Sequence, residues 1–255
     1  MTVQSILDYL NETALLATQC GWDNSGFLVG DAAGDVAVVA FALDLTPQTL
    51  AGALEAKADL LVTHHPVIFQ PQRSLLADRV LYHTVKSGLA VISLHTPWDC
   101  AAGGVNDVLS GLLGLTDVVP VPDSAGGAPM ARIGSVDACG AKELAERVAD
   151  ALGTTVRLVD GGKPIARVAV CGGAGMSLLD DAVAAGADAF VTGELKHHEA
   201  LDAAERGVTV IAAGHFETER PSMAALCGAV RQRFPQLSAV LLDETNPVAF
   251  VGPKG

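Results

Sequence analysis

The amino-acid sequence predicts an α/β protein built from two similar halves, with helices on both faces of largely parallel sheets. Short apolar runs typical of buried strands alternate with amphipathic helical segments, which is the pattern of repeated strand and helix units. One unit also occurs twice. Residues 58–63 and 187–192 both run from Ala-Asp to a threonine, and a later histidine in each copy, His95 or His215, precedes a carboxylate by four positions. A duplicated unit can bring equivalent strand ends to one cleft.

The elements of the first half follow from spacing and capping residues. Apolar residues recur at helical spacing over 3–15, which predicts an N-terminal helix. A second helix is expected over 47–57, because proline suits a first helical turn. Another helix follows Gly103, where Asn106 and Asp107 are available as caps. The expected strands lie at 36–43, 58–63 and 89–94, with a helix before the last of them.

A stretch rich in proline and glycine separates the halves. Residues 120–129 have the composition of a linker, and we place the domain boundary there. The second half then repeats the alternation of strands and helices. The expected strands lie around 133, 156 and 168 and at 189–192, 208–213, 239–242 and 248–251, and the expected helices lie at 142–152, 178–185, 196–206 and 219–234.

Composition excludes several classes of function. The net charge of −13, with no cluster of Lys or Arg, gives little support for binding nucleic acid or an anionic membrane. Mean hydropathy is +0.37, but the apolar runs are far shorter than the roughly 20 residues of a membrane span. The N-terminus lacks the order of a signal peptide. Five dispersed cysteines indicate neither a disulfide framework nor a Cys-x-x-Cys zinc site, so we expect a cytoplasmic protein.

Histidines and carboxylates gather just past the predicted strand ends. A pair of divalent cations needs several neutral imidazoles and a carboxylate that can bridge them. Consecutive strand residues point to opposite faces, so adjacent histidines can share one site only if their strand has ended at Thr63. Pro66 supports that ending. The residues that supply the set are His64, His65, Asp99, His215 and Glu219.

Other residues near these positions have both functional and structural interpretations. His197 and His198 lie in the N-terminal region of a helix, which can expose histidines without function, and of the two we favour His198 as facing the site. Glu217 is interpreted as a capping residue rather than a base. We expect Trp98 to form the wall of a pocket. The pair at 172–173 is explained by a tight turn or by close approach to a ligand.

Five ordered motifs carry a resemblance to a known family. Together they resemble the Nif-three-like family, whose members are also named GTP cyclohydrolase 1 type 2 homologs, and the match runs essentially from end to end. Any one of the motifs is weak, but five in the right order are specific. The motifs are Trp22–Gly30, Val62–Pro66, His95–Asp99 with Gly104–Asp107, Val191–Glu194, and Gly214–Glu219.

The resemblance implies an architecture and a metal centre. Members of the family have two similar, interleaved, three-layer α/β domains, and we expect residues 1–124 with 208–255 to form the first and 125–207 the second, with no inserted third domain. The family also implies a homo-oligomer, a toroidal hexamer arranged as a trimer of dimers around a cavity. Its dinuclear centre falls here on His64, His65, Asp99, His215 and Glu219, with the glutamate as the usual bridging candidate.

The activity expected from these residues is metal-dependent hydrolysis of a small molecule. A metal-bridging hydroxide attacks an electrophilic carbon or phosphorus, with Glu194 or His198 as proton shuttle and His95 behind the ligands or facing the substrate. GTP is the substrate suggested by the family name alone. A dinuclear phosphoesterase or amide hydrolase is an alternative, and so is a non-catalytic metal-binding ring scaffold. Zinc, iron, manganese, cobalt and nickel all suit the two metal positions.

Overall fold

The chain folds into a mixed α/β structure with two mixed sheets. The computed structural model describes residues 1–249 and residue 251. The α/β class predicted from the sequence is therefore confirmed. None of the helices formed by these residues is both long enough and apolar enough to cross a membrane.

The helices are mostly short. Two 3₁₀ turns, Leu16–Thr18 and Gly175–Leu178, accompany them. In chain order the α-helices are α1 (Val3–Thr13), α2 (Pro47–Glu55), α3 (Val80–Ser87), α4 (Thr96–Cys100), α5 (Val105–Leu112), α6 (Ala141–Leu152), α7 (Leu179–Ala184), α8 (His197–Arg206) and α9 (His215–Arg233).

The strands fall into two sets along the chain. In chain order they are β1 (Gly26–Val29), β2 (Val38–Ala42), β3 (Leu60–Thr63), β4 (Ala90–Ser93), β5 (Thr116–Pro120), β6 (Arg132–Cys139), β7 (Arg157–Val159), β8 (Ile165–Cys171), β9 (Ala189–Thr192), β10 (Thr209–Ala212) and β11 (Ser238–Leu241).

Both sheets contain a group of parallel strands, with antiparallel pairing at one edge of the first sheet and at both edges of the second. The first sheet has the order β1-β4-β3-β2-β11, and only β1 runs antiparallel to its neighbour. The second has the order β5-β6-β8-β9-β10-β7, in which β8, β9 and β10 are parallel. The second sheet differs from the expectation of largely parallel sheets, because half of its strands pair only antiparallel. Its β5, β6 and β7 pair antiparallel, an arrangement that needs no helical crossover.

Helices cover both faces of each sheet. Alternate residues of a strand point to opposite faces, and in the first sheet Phe41 packs with α1 and α9 whereas Ala42 packs with α2. In the second sheet Val191 packs with α5 and α6, and Phe190 packs with α7 and α8. Burial of these apolar faces stabilises the layers and fixes the strand ends that carry the polar residues.

In each group of parallel strands, an aspartate side chain binds the backbone at the start of a neighbouring strand. Asp59, just before β3, accepts hydrogen bonds from the backbone N–H groups of residues 37 and 38 at 2.8 and 3.0 Å. Asp188, just before β9, accepts from those of residues 166 and 167 at 2.9 and 2.8 Å. Each aspartate therefore ties the start of its own strand to the start of the preceding parallel strand. These are the aspartates of the repeated Ala-Asp pattern.

Several predicted bounds differ from the structure. Helix α9 begins at His215 rather than near residue 219, and Asp99 lies in a short helix that the sequence did not indicate. The predicted strand at 248–251 includes Phe250, which lies outside the described residues, and residues 248, 249 and 251 are not in a strand. Strand β5 pairs with β6, and β10 pairs with β9 and β7, all within the second sheet. The division into domains stays a prediction.

Candidate metal centre

The adjacent histidines lie where β3 ends. Thr63 is the last strand residue, as their sharing of one site requires. Its hydroxyl donates to the backbone carbonyl of His65 at 2.8 Å and lies 2.8 Å from the hydroxyl of Ser93, its register partner on β4. This local turn brings the rings of His64 and His65 to a centroid distance of 5.0 Å.

One ring nitrogen of each site histidine is held by an oxygen. For His64 the partner is a carbonyl, which can only accept, so Nδ1 carries the proton and Nε2 presents its lone pair. Oriented imidazoles of this kind are typical of metal ligands. The Nδ1 contacts are His64 to the Leu94 carbonyl at 2.9 Å, His65 to Asp44 at 2.7 Å, His95 to Asp23 at 2.9 Å, and His215 to Glu194 at 2.7 Å.

The Nε2 atoms of three of these histidines converge on the buried carboxylate of Glu219. Its Oε2 lies 3.0 Å from Nε2 of His65, 3.2 Å from Nε2 of His215 and 3.8 Å from Nε2 of His64. None of these contacts has the geometry of a hydrogen bond. Among the described residues, both Glu219 Oε2 and His64 Nε2 are buried and have no hydrogen-bond partner. Asp99 completes the cluster, with Oδ1 3.7 Å from Nε2 of His64.

These side chains form overlapping groups that could hold metal ions. Within each group one donor atom per residue lies within 4.8 Å of the others. Nitrogen and carboxylate donors without thiolate suit zinc and other first-row divalent ions. The partnerless buried atoms also fit this interpretation, because buried polar groups are normally paired. In the described part of the chain the groups are His64, His65 and His95; His65, His215 and Glu219; and His64, Asp99 and Glu219.

The electrostatics of the cluster is dominated by burial and by opposite charges in contact. Burial alone would raise the pKa of Glu219, but neighbouring His64, His215 and His65 hold it well below its ordinary value. Burial raises the pKa of Asp99, and the nearby negative charge of Glu219 raises it further. Burial alone would lower the pKa of His65, yet Asp44 and Glu219 raise it to about 10. The carboxylate of Glu219 therefore stays ionised.

Glycine allows the backbone to lie against this carboxylate. Gly173 has a φ of +61°, and a Cβ built there would collide with Oε1 of Glu219 and lie 3.1 Å from Nε2 of His215. The neighbouring Gly172 donates its N–H at 2.8 Å to Asn106, whose amide donates at 3.3 Å to the carbonyl of Asp99. Both interpretations of the 172–173 pair therefore apply in part, since it makes a turn and approaches the site closely.

Two cavities reach the cluster from different sides. One of about 380 Å³ is lined by His65, His215 and Glu194, with apolar side chains such as Phe216. The other, of about 240 Å³, is lined by Trp22 and by residues of the cluster, and His215 borders both. A small molecule thus has access to the candidate metal ligands.

Comparison with known proteins identifies the family. The family model for Duf34/NIF3 (NGG1p interacting factor 3) matches residues 1–247. The chain belongs to the Duf34/NIF3 family. The resemblance found in the sequence motifs is therefore confirmed.

Relatives of this Duf34/NIF3 protein are similar over most of their length. It is 37% identical to a GTP cyclohydrolase 1 type 2 homolog of Streptomyces coelicolor, covering 78% of this chain and 75% of the relative. It is 29% identical to the Clostridium perfringens protein of the same name, covering 91% and 92%. The crystal structure of Staphylococcus aureus hypothetical protein SA1388 superposes with a TM-score of 0.90 at 25% identity, covering 98% and 99%.

The Duf34/NIF3 structure brings together the five residues that the sequence proposed as ligands, and it also places His95 within reach. The ring of His95 lies 5.2 Å from that of His64, so it is a further candidate ligand. His198 is exposed on α8 and belongs to none of the groups found among the described residues. Trp98 is not a pocket wall: it is 2% exposed and packs in the core.

Three polar residues position the site in this family member, although no role at the site was predicted for them. Asp44 orients His65, Asp23 orients His95, and Asn106 links the Asp99 segment to Gly172. A signal for Asp44 was available, because it follows β2 at the same carboxyl edge of the sheet as the histidines. A lone aspartate in a loop has many other roles, so only its position distinguished it.

Proposed function

We propose that this Duf34/NIF3 protein binds two divalent metal ions and uses them to hydrolyse a small molecule. The residues that would hold them are His64, His65, Asp99, His215 and Glu219, of which Glu219 belongs to two of the candidate groups. The observation that carries the proposal is the convergence of unpaired donors, since Oε2 of Glu219 and Nε2 of His64 are buried 3.8 Å apart without hydrogen-bond partners. Leaving such atoms unpaired destabilises a fold unless a bound ion satisfies them.

The overlap of the candidate groups supports two ions rather than one. One group contains His65, His215 and Glu219, and another contains His64, Asp99 and Glu219. The two groups share only the glutamate, so each supplies two donors of its own. A carboxylate between two cations screens their mutual repulsion, which a neutral imidazole does not do.

The chemistry follows from the cluster and the residues behind it. When bound, two such ions supply Lewis acidity and bring the pKa of a coordinated water towards neutrality. Asp44 and Glu194 hold Nδ1 of His65 and His215, so that both Nε2 atoms face the cluster. The side chain of Glu194 is 54% exposed and lines the larger cavity, which suits it to accept a proton from a reacting water and pass it to solvent. This position favours Glu194 over His198.

The substrate class is supported by the relatives only at the level of their names. GTP cyclohydrolase 1 type 2 homolog is a name carried by those proteins, and it makes ring opening of a purine nucleotide one reaction to test. A cyclic amide or a phosphodiester would use the same site, because both present an electrophilic centre and an oxygen that becomes anionic.

The first test is turnover by the metal-loaded protein against GTP, cyclic amides and phosphodiesters. We expect one class to be hydrolysed, and Asp99→Asn to lower kcat/KM by at least about a hundredfold because it removes a charged ligand. Glu205→Gln changes an exposed glutamate of α8 and should leave the rate unchanged. Metal-loaded wild type that turns over no member of the panel, or Asp99→Asn with an unaltered rate, would contradict hydrolysis.

A further inference from the structure

The two tryptophans of the chain have opposite environments. Trp98 is 2% exposed, and its indole N–H donates to Ser222 at 3.1 Å. Trp22 is 56% exposed. An indole with over half of its surface in water gains little from the hydrophobic effect, although it is the largest apolar side chain available.

The backbone that carries Trp22 is nevertheless fixed. The next residue, Asp23, accepts hydrogen bonds from Nδ1 of His95 at 2.9 Å and from the hydroxyl of Thr96 at 2.6 Å. Asn24 in turn donates from its amide to the carbonyl of Ile68 at 2.6 Å. These bonds anchor residues 23 and 24 to the site and to the segment before Phe69. The exposed indole is thus held by ordered neighbours.

Trp22 forms an aromatic wall beside the candidate metal centre. Its ring lies 5.6 Å from that of His95 at an interplanar angle of 72°, and 6.1 Å from that of Phe69. The cavity of about 240 Å³ that it lines is also lined by Asp99 and Glu219. A molecule in this cavity would therefore contact both the indole and the cluster.

The lining of this cavity limits the class of ligand. None of the described residues that line it is lysine or arginine. Two of its lining residues, Asp99 and Glu219, carry carboxyl groups, which favour N–H donors or metal ions. Its volume is small, and an aromatic wall attracts flat unsaturated rings by stacking.

We infer that Trp22 stacks on a planar nitrogen heterocycle and holds that ring beside the cluster. The inference rests on the proposed function and deepens it, because it names which part of a substrate enters this cavity. Trp22 is then a residue that determines specificity, and it needs no part in holding metal.

The test uses the full-length, metal-loaded protein with uracil and hypoxanthine as planar probes. The matched control is 5,6-dihydrouracil, which keeps the amide edge of uracil but has a puckered, saturated ring. We expect the planar rings to quench Trp22 fluorescence, and Trp22→Ala to raise their Kd by about tenfold while Trp22→Phe retains most of the affinity. Dihydrouracil should bind at least about fivefold more weakly than uracil. Calorimetry supplies each Kd, and elemental analysis supplies the metal content of each variant.

Three results would overturn the inference. They are an unaltered Kd in Trp22→Ala, equal binding of uracil and dihydrouracil, and no binding of either planar ring at millimolar concentration. An unaltered Kd together with a change of oligomeric state in Trp22→Ala would make Trp22 an interface residue. If the stacking test fails but the protein still binds metal, the proposed function is not contradicted. Ring binding through Trp22 by a protein that takes up no metal would instead contradict the proposed function alone.

Discussion

Two buried atoms define the candidate site at the scale of single residues. Nε2 of His64 and Oε2 of Glu219 lie 3.8 Å apart, both withdrawn from water, and neither has a hydrogen-bond partner among the described residues. An unpaired buried polar atom costs about 1 to 3 kcal/mol of stability. A metal ion between them would recover that cost, so metal binding and folding stability should rise together.

Gly173→Ala tests whether space beside the carboxylate is required. The added Cβ would collide with Glu219, and we expect metal affinity to fall by at least about tenfold. Gly162→Ala is the matched control, because Gly162 has a similar φ of +72° but open space around it. Both variants should lose about 1 to 2 kcal/mol of stability from backbone strain. Equal metal affinity in the two variants, measured by competition with a chelating dye, would contradict the steric argument.

Asp23→Asn tests the charge behind His95 through the pH dependence of stability. Burial alone would raise the pKa of Asp23, but hydrogen bonds from His95, Thr96 and Ser25 hold it well below its ordinary value. A depressed carboxyl pKa stabilises the fold above the unfolded-state pKa of about 3.9, and this contribution is lost as the pH falls towards the folded pKa. The free energy of unfolding should therefore fall more steeply below about pH 4 in wild type than in Asp23→Asn. Urea denaturation at a series of pH values measures both slopes, and equal slopes would refute the assignment.

The sequence predicted the cluster better than its surroundings. His64, His65 and His215 were identifiable because histidines directly after strands are few and the strand ends of parallel sheets converge. Asp44 was missed because one loop carboxylate looks like any other. Trp98 was expected to form a pocket wall, but adjacent helical residues point in different directions, and although Asp99 faces the cluster the indole of Trp98 points into the core.

Among the secondary-structure elements, the end of β3 contributes most to the geometry of the candidate site. The Thr63 hydroxyl joins the carbonyl of His65 to the hydroxyl of Ser93 on β4, each at 2.8 Å. It thereby fixes the turn that sends two consecutive side chains to one cluster, which a continuing strand would separate. The hydroxyl is fully buried, so its two bonds are not replaced by water.

Thr63→Val tests that turn with almost unchanged volume. The substitution leaves the carbonyl of His65 unpaired and removes one of two partners of the Ser93 hydroxyl, which still accepts from the N–H of Val67 at 3.3 Å. We expect a loss of about 1 to 3 kcal/mol in the free energy of unfolding. Metal affinity should fall by about tenfold because His65 is less well held. Thr63→Ser keeps the hydroxyl and serves as the control, with near wild-type affinity. If Val and Ser variants bind metal equally well, the hydroxyl does not position the histidines.

The predicted limits of helices and strands are wrong where the local sequence pattern and the tertiary structure disagree. Helix α9 begins at His215, so His215 and Glu219 are one helical turn apart on the same face. The sequence did not show this start, because Gly214 and the aromatic Phe216 are not typical helix-starting residues. The antiparallel strands β5 and β6 were also missed as a pair, since the linker composition between them indicated a boundary rather than a connection within a sheet.

At the scale of the whole molecule, the candidate site draws on both sheets. His64 and His65 follow β3 of the first sheet, whereas His215 and Glu219 lie on the helix that follows β10 of the second. The duplicated pattern explains this, because Thr63 and Thr192 end equivalent strands whose following residues meet. His65 and Glu194 then occupy matching positions and contact His215 from two sides. The hexamer and the cellular location stay predictions.

Metal content per chain tests the central claim most directly. Protein purified without a histidine tag would be analysed by elemental mass spectrometry as wild type, Glu219→Ala and the exposed control Glu205→Ala, with circular dichroism to confirm folding. We expect about two divalent ions per chain in wild type and in Glu205→Ala, and fewer than about one in folded Glu219→Ala. Well under one ion in wild type, unchanged in Glu219→Ala and not restored by added zinc, iron or manganese, would contradict the paired site.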